Sequence, residues 1–279
     1  MTPPPREARP TPLAADANLG LVALVTGGGT GIGRSAALEL ASSGARVAIC
    51  GRREEPLIET RALIESAGGE CHVEVADIRE PEAADAMLTG VLERFGNVDV
   101  LVNNAGGQFV APAEEISDKG WRAVHRLAVD AVWHLTRECA VRSMIPRRGG
   151  LVVFIGFAPT RGIPGFAHAS AARAAVANLA SGLAIEWGRY SIRSVCIEVG
   201  NIATEAIVRY GVDSLREWEE ATPLGRLGEP ADIGRMIAYL ASAGGEYITG
   251  TTIAIDGGID AWGHGTPPPP LAPADAPDT

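Results

Sequence analysis

The segment with the clearest chemical meaning is a glycine-rich run, Thr26-Gly27-Gly28-Gly29-Thr30-Gly31-Ile32-Gly33. It follows an apolar stretch that predicts a strand and opens a periodic stretch that predicts a helix. Glycines at such a junction permit a tight turn and let the backbone approach a pyrophosphate closely. The helix amino terminus adds free N–H groups and the positive end of its dipole. The run therefore predicts a dinucleotide phosphate site.

Lysine and tyrosine side chains are scarce in this sequence. Of the 24 basic residues, Lys119 is the single lysine, and the four tyrosines stand at positions 190, 210, 239 and 247. Position 115 holds a glutamate, so no tyrosine precedes that lysine by four residues. A mechanism built on a Tyr-x-x-x-Lys pair is therefore excluded.

Charge and cysteine spacing exclude several kinds of partner and site. The 24 basic and 34 acidic side chains give a formal net charge of −10, which argues against nucleic acid as a partner. The four cysteines lack C-x-x-C spacing, so we expect no metal site and no disulfide framework. No apolar stretch approaches ~20 residues and the amino terminus has no export signal. We therefore expect a cytoplasmic protein with no membrane partner.

The elements that must position these residues alternate along the chain. Short apolar runs predict seven strands, at 21–26, 46–50, 71–76, 98–102, 151–155, 192–197 and 251–255. Between them lie helix-period stretches at 31–43, 54–67, 81–95, 114–145, 166–188 and 230–241. Most strands are apolar on both faces, as in a parallel sheet covered on both sides. The pattern predicts a doubly wound α/β domain with a ligand cleft at the carboxyl ends of a seven-stranded parallel sheet.

Both ends of the chain are rich in proline. Eleven of the 19 prolines lie between positions 3 and 12 or between positions 267 and 277, mixed with Ala, Asp and Thr. Such segments have little to bury. We therefore expect disordered tails at 1–18 and 264–279 and a single folded domain at 19–263.

Further motifs give the chain a specific family resemblance. They are Asp77-Ile78, Asn103-Asn104-Ala105-Gly106, the proline-bounded segment 223–230, and Tyr247-Ile-Thr-Gly250 followed by Asp256-Gly257-Gly258. With the glycine-rich run, they resemble the short-chain dehydrogenase/reductase family over essentially the whole chain between the tails. The resemblance implies a Rossmann fold, a nicotinamide cofactor and a homotetramer or homodimer formed through the predicted helices at 114–145 and 166–188.

The resemblance also implies which residues hold the cofactor. They are Gly27, Thr30, Gly31, Ile32, Gly33, Arg52, Arg53, Asp77, Ile78, Asn104, Ala105, Gly106, Arg173, Gly200, Ile202 and Thr204. In NAD-selective relatives an acidic residue ends the second strand, where this chain has Gly51 followed by Arg52 and Arg53. A 2′-phosphate suits a guanidinium fork, so the arginine pair favours NADPH over NADH.

The catalytic positions of the family hold other residues here. Members that reduce carbonyls carry an Asn, a Ser, a Tyr and, four residues after the Tyr, a Lys. The corresponding residues of this chain are Ala128, Gly156, Ala169 and Arg173. Ala and Gly cannot donate a proton, and an arginine, with a pKa above ~12, can hold ribose hydroxyls but cannot relay a proton. Ordinary carbonyl reduction is therefore disfavoured.

One hypothesis retains hydride transfer. Segments 103–114 and 168–174 resemble the trans-2-enoyl-CoA reductase branch, with its peroxisomal members and the bacterial cyclohexenylcarbonyl-CoA reductases, which also lacks the usual Ser and Tyr-x-x-x-Lys. This resemblance implies NADPH-dependent reduction of the C=C bond of an α,β-unsaturated acyl-CoA, including a cyclic alkenyl-CoA, by hydride transfer to the β-carbon. The alternatives are a degenerate reductase with a non-redox or regulatory role and a carbonyl reductase with a non-standard proton donor.

Three residues are candidates for catalysis. Peroxisomal-type members place a Tyr six residues after the helix Asn, where this chain has His134, whose imidazole titrates near neutrality. His168 adjoins the family's Tyr position, and Arg173 holds its Lys position. A helix contact between subunits for His134 and a capping or core role for His168 are the alternatives.

Overall fold

Seven parallel strands form the centre of the structure, a computed structural model that describes residues 13–157, 162–205, 207 and 212–262. The strands are β1 (Val22–Thr26), β2 (Arg46–Gly51), β3 (Cys71–Val75), β4 (Val100–Asn103), β5 (Gly150–Ile155), β6 (Ile192–Val199) and β7 (Thr251–Ile255). Their order is β3-β2-β1-β4-β5-β6-β7, and every neighbouring pair is parallel. The predicted doubly wound Rossmann fold, with seven parallel strands in a single domain, is confirmed.

The described residues form ten α-helices. They are α1 (Gly31–Ser42), α2 (Glu54–Ser66), α3 (Pro81–Phe95), α4 (Asp118–His125), α5 (Ala131–Cys139), α6 (Ile145–Arg147), α7 (Ala167–Trp187), α8 (Val212–Ala221), α9 (Pro230–Ala241) and α10 (Ile259–Trp262). Two π-helical turns, Arg126–Asp130 and Ala140–Met144, join α4, α5 and α6 into the long helical stretch that the sequence predicts. Helices α8 and α10 have no counterpart in the prediction. None of the helices described is long and apolar enough to span a membrane.

Helices cover both faces of the sheet because successive strand side chains point to opposite faces. Leu24 belongs to one buried cluster, with residues of α3, α5 and α7. Its neighbour Val25 belongs to the other, with residues of α1, α2 and α9. The two cores fix the strands from both sides, so the loops at the carboxyl ends of the strands are held at one edge of the sheet.

The folded domain begins earlier than the predicted boundary at residue 19. Asn18 is 1% exposed, and its Nδ2 donates to Ser43 Oγ at 2.8 Å and to the Ala238 carbonyl at 3.0 Å. Leu13 packs against the core on the same face. The expected tail at 1–18 is therefore wrong for residues 13–18, because a buried amide ties this segment to the ends of α1 and α9. Residues 1–12 and 263–279 of the expected tails lie outside the described residues.

Candidate active site

A cleft of about 460 Å³ lies at the carboxyl ends of the strands. It is centred where the strand order reverses, between β1 and β4, because loops that leave in opposite directions open a crevice there. All the predicted cofactor residues except Gly33 line this cleft. Segments that lie far apart in the chain therefore meet at one cleft, and the cofactor roles of these residues stay predictions.

Glycines shape the loop between β1 and α1. Gly27 and Gly31 have φ values of +67° and +53°, which side chains disfavour. Thr30 precedes α1 without a side-chain cap, so the N–H groups of the first turn are left for a phosphate. A Cβ at Gly33 would lie 2.2 Å from the Gly27 carbonyl oxygen. Gly33 therefore allows α1 to approach the loop and is not among the residues that line the cleft.

Asn104 and Thr26 join the loops that follow β4 and β1. Asn104 Nδ2 donates to the carbonyl of Thr26 at 2.8 Å and to that of Gly27 at 3.3 Å. Thr26 Oγ1 accepts hydrogen bonds from the backbone N–H groups of Asn104 at 3.0 Å and Ala105 at 2.9 Å. The Asn104 amide nitrogen is therefore used to hold the shape of the cleft, while Ala105 and Gly106 line its wall.

Two arginines follow β2 at the edge of the cleft. Arg52 and Arg53 are exposed, and no described carboxylate forms an ion pair with either. The nearby Asp77 already has a partner, because Arg79 Nε donates to its Oδ1 at 2.9 Å. Hydrogen bonds from Arg79 lower the pKa of Asp77, and the charge of Arg52 lowers this pKa to a smaller extent. The two guanidinium groups remain available to an anionic ligand.

Arg173 reaches the cleft from α7. Its Nη1 donates to the Ile155 carbonyl at 2.7 Å, and its guanidinium lies against Gly106, where a Cβ would be 2.2 Å from Nη2. Burial lowers the pKa of Arg173, but an arginine starts so high that it stays protonated. Gly156 lines the cleft, whereas Ala169 is 2% exposed and does not. None of the described residues that line the cleft is Tyr, Lys, Ser or His.

The two histidine candidates lie outside the cleft wall. His134 Nε2 is 2.9 Å from Asp85 Oδ1 in α3, so this imidazole is engaged away from the cleft. His168 is fully buried with its ring centroid 4.2 Å from that of Phe109, and neither ring nitrogen has a partner among the described residues. Burial lowers the pKa of His168, which favours the neutral ring. Neither residue lines the cleft, and the donor roles of both stay predictions.

Apolar side chains also line the cleft. They are Leu57, Leu127, Ile163, Phe157, Phe166, Ile207 and Trp218. The rings of Phe157 and Phe166 meet edge to face with centroids 5.9 Å apart. Together they offer a hydrophobic surface to a bound molecule. Several stand on loops, where the periodicity of one sequence gives no signal of a shared site.

Glu198 is a buried carboxyl that the sequence-based predictions do not include. It is the penultimate residue of β6 and is 7% exposed. Burial raises the pKa of Glu198, and the nearby carboxylates of Asp260 and Asp256 raise it further. The sequence carries one signal of it, since a carboxylate inside an apolar strand seldom serves packing alone.

Comparison with known proteins establishes the family. A family model described as "Enoyl-(Acyl carrier protein) reductase" matches residues 27–260, which is most of the chain. The chain belongs to the short-chain dehydrogenase/reductase family. The protein is thus an NAD(P)-dependent oxidoreductase of this family.

Three proteins of known name or structure are similar to this chain over most of its length. A probable 2,4-dienoyl-CoA reductase of Bacillus subtilis (strain 168), named as producing (2E)-enoyl-CoA, is 34% identical over 244 residues, which cover 84% of this chain and 94% of that protein. A peroxisomal 2,4-dienoyl-CoA reductase of Arabidopsis thaliana, named as producing (3E)-enoyl-CoA, is 34% identical over 262 residues, covering 89% and 87%. A solved structure from Beutenbergia cavernae, described as an NAD(P)-dependent gluconate 5-dehydrogenase with NADP at low occupancy, has 33% identity and a TM-score of 0.82, covering 89% of this chain and 100% of that chain.

Proposed function

We propose that the protein uses NADPH to reduce the C=C bond of an α,β-unsaturated acyl-CoA by hydride transfer to the β-carbon. The observation that carries the proposal is a complete dinucleotide site beside Gly156 and Ala169, which stand where the family's carbonyl reductases have their Ser and Tyr. Reduction of a carbonyl places negative charge on one oxygen and needs a strong donor there. Conjugate addition spreads that charge over an enolate, and the α-carbon can then take its proton from a weaker donor.

Four groups of this chain would hold the cofactor. The N–H groups at the start of α1 suit the pyrophosphate, and the guanidinium of Arg173 suits the hydroxyls of the nicotinamide ribose. Arg52 and Arg53 suit a 2′-phosphate, which supports NADPH as the preferred form. The glycine cradle and the free first-turn N–H groups fit such a ligand. When bound, the dihydronicotinamide supplies the hydride.

The shape and polarity of the cleft support an acyl thioester as the substrate. Phe157 and Phe166 form an apolar wall that suits a hydrocarbon chain and excludes water from it. Two similar proteins carry the name 2,4-dienoyl-CoA reductase, and a 2,4-dienoyl-CoA is a thioester of this class. A 2-enoyl and a 2,4-dienoyl thioester both present a conjugated carbonyl, so both belong in the substrate test.

We also propose that subunits associate through α4, α5 and α7, as a homodimer or homotetramer. Trp121 and Trp133 on these helices are 41% and 42% exposed, and Ile185 is 84% exposed. Large apolar side chains left in solvent are typical of a surface that another subunit covers. Light scattering coupled to size-exclusion chromatography measures the mass directly, and a monomer at micromolar concentration would contradict this proposal.

The direct test mixes protein and NADPH with crotonyl-CoA, 2,4-hexadienoyl-CoA or cyclohexenylcarbonyl-CoA and follows absorbance at 340 nm. We expect decay with at least one of these thioesters and a product that has lost one C=C bond. Acetoacetyl-CoA and simple ketones serve as controls for carbonyl reduction. Decay with the carbonyl compounds alone would refute the proposal, and no decay with any compound would favour a non-redox role.

A further inference from the structure

A buried carboxyl, that of Glu198, lies beside Gly156, which lines the cleft, although Glu198 itself does not line it. Strands β5 and β6 pair with Ile155 opposite Ile197, so the next residues of each chain segment, Gly156 and Glu198, are neighbours. Glu198 is 7% exposed, and no described residue donates a hydrogen bond to its carboxyl or forms an ion pair with it. A mostly buried carboxyl without a protein partner is typical of a functional site.

Because residue 156 is a glycine, it has no side chain that would collide with the side chain of Glu198. A Cβ at Gly156 would lie 3.0 Å from Glu198 Cγ and 2.8 Å from Cys196 Sγ. A serine, which the family's carbonyl reductases carry here, would compete with Glu198 for the same space. Gly156 itself lines the cleft. Glu198 is therefore next to the position at which the family's carbonyl reductases have the serine hydroxyl.

A second pocket, of about 320 Å³, connects Glu198 to the protein surface. It is lined by Phe157, Ser170, Ala174, Ala177, Asn178, Ser181, Glu198 and Thr252. Phe157 is shared with the cleft, and the exposed residues Ala174 and Thr252 border the pocket. Several of its side chains are polar, so water can enter. Glu198 therefore lines a route by which a proton is replaced, and its neighbour Gly156 lines the cleft.

The charges around Glu198 favour its protonated form. Asp256 and Asp260 lie on the segment after β7 and both raise the pKa of Glu198, in addition to the larger effect of burial. From β6, the Cys196 thiol is neutral, because burial raises its pKa to about 12. From α7, Arg173 donates a hydrogen bond to the Ile155 carbonyl and none to Glu198.

We propose that Glu198 is a catalytic residue, the carboxylic acid that protonates the α-carbon of the substrate; this inference rests on the proposed function. The β-carbon accepts hydride, the π electrons of the C=C bond pass to the enolate, and the α-carbon forms a C–H bond as the Glu198 O–H bond breaks. The acyl chain is reduced by two electrons and NADPH is oxidised. The remaining carboxylate regains a proton from water in the second pocket.

The test compares the wild type with Glu198→Gln, which keeps the shape of the side chain but cannot supply an acidic proton. We expect kcat for the unsaturated thioester to fall by about 100-fold or more, with the dissociation constant for NADPH changed by less than about twofold. Glu198→Asp keeps an acid and should retain more activity than the Gln variant. Glu93→Gln, an exposed carboxyl of α3, is the matched control and should show the wild-type rate.

Two further readouts separate proton donation from a structural effect. In D₂O the wild type should place deuterium on one face of the α-carbon, whereas Glu198→Gln should give a mixture, measured by NMR. The second readout uses protein without cofactor. Between the ordinary pKa of a glutamate and the raised one, the folded state alone holds the proton, so wild-type stability falls as pH rises through that window. Thermal unfolding of Glu198→Gln should lack this fall.

The outcomes distinguish this inference from the proposed function. If the wild type reduces no unsaturated acyl-CoA, both fail. If the wild type is active and folded Glu198→Gln keeps its rate and its single-face deuteration, the proposed function stands and Glu198 is not the donor.

Discussion

Removal of the two arginines after β2 should change the choice between cofactors without changing the fold. The variant is Arg52→Ala combined with Arg53→Ala. Both side chains are exposed and neither takes part in an ion pair with a described carboxylate, so their loss leaves no buried charge unpaired. A charge-assisted hydrogen bond contributes about 1.5–3 kcal/mol when well formed. Solvent screening at these exposed positions reduces that to about 1 kcal/mol each.

The sum of about 2 kcal/mol corresponds to about a 30-fold rise in the dissociation constant for NADPH. NADH has no 2′-phosphate, so its dissociation constant should change by less than about twofold. Fluorescence titration of the two reduced cofactors measures both constants. Arg61→Gln is the matched control, because Arg61 forms a surface pair with Glu65 on α2, 3.9 Å away, and does not line the cleft. Equal weakening of NADPH and NADH would refute the assignment, as would no change in either.

Three further predictions address the site and the fold. Arg173→Met removes donors to a ribose that both cofactors share, so NADPH and NADH should each bind about tenfold more weakly in the same titration; a selective loss of one cofactor would contradict this role. Gly33→Ala puts a methyl group 2.2 Å from the Gly27 carbonyl oxygen and should lower stability by about 1–3 kcal/mol and weaken NADPH binding. Gly182→Ala, where a Cβ meets no described atom within 4 Å, is its control, and equal unfolding midpoints in denaturant would count against the close contact. Asn18→Ala removes two buried hydrogen bonds and should cost about 1–3 kcal/mol in the same assay; a neutral result would place this residue outside the folded domain.

The fold was largely predictable because each strand carries its own signal. Successive residues such as Leu24 and Val25 are both apolar, so the strand is apolar on both of its faces. The glycine-rich run marks where this first strand ends. The loops that follow parallel strands must meet at one edge, so motifs at positions 27, 77 and 104 could be placed in one site without coordinates. Local sequence is therefore sufficient to predict the fold wherever a strand followed by a helix is repeated along the chain.

The sequence does not predict those parts of the site in which a side chain's neighbour comes from a distant segment. The direction of the His168 ring depends on the rotation of α7, and the sequence does not reveal its contact with Phe109. Glu198 can be recognised as a candidate only when the register of β5 and β6 is known, because that register places it beside Gly156. The proline-rich composition near the amino terminus predicts a tail that includes Asn18, because composition does not reveal its hydrogen bond to α9.

The measurement that tests the central claim most directly is the position of a transferred label. NADPH deuterated at C4 of the nicotinamide is incubated with the protein and an unsaturated acyl-CoA, and the product is analysed by mass spectrometry and NMR. We predict one deuterium, on the β-carbon of a thioester that has lost its α,β double bond. Consumption of this NADPH with deuterium only on the carbinol carbon of a reduced ketone, or no transfer to any unsaturated acyl-CoA, would contradict the account.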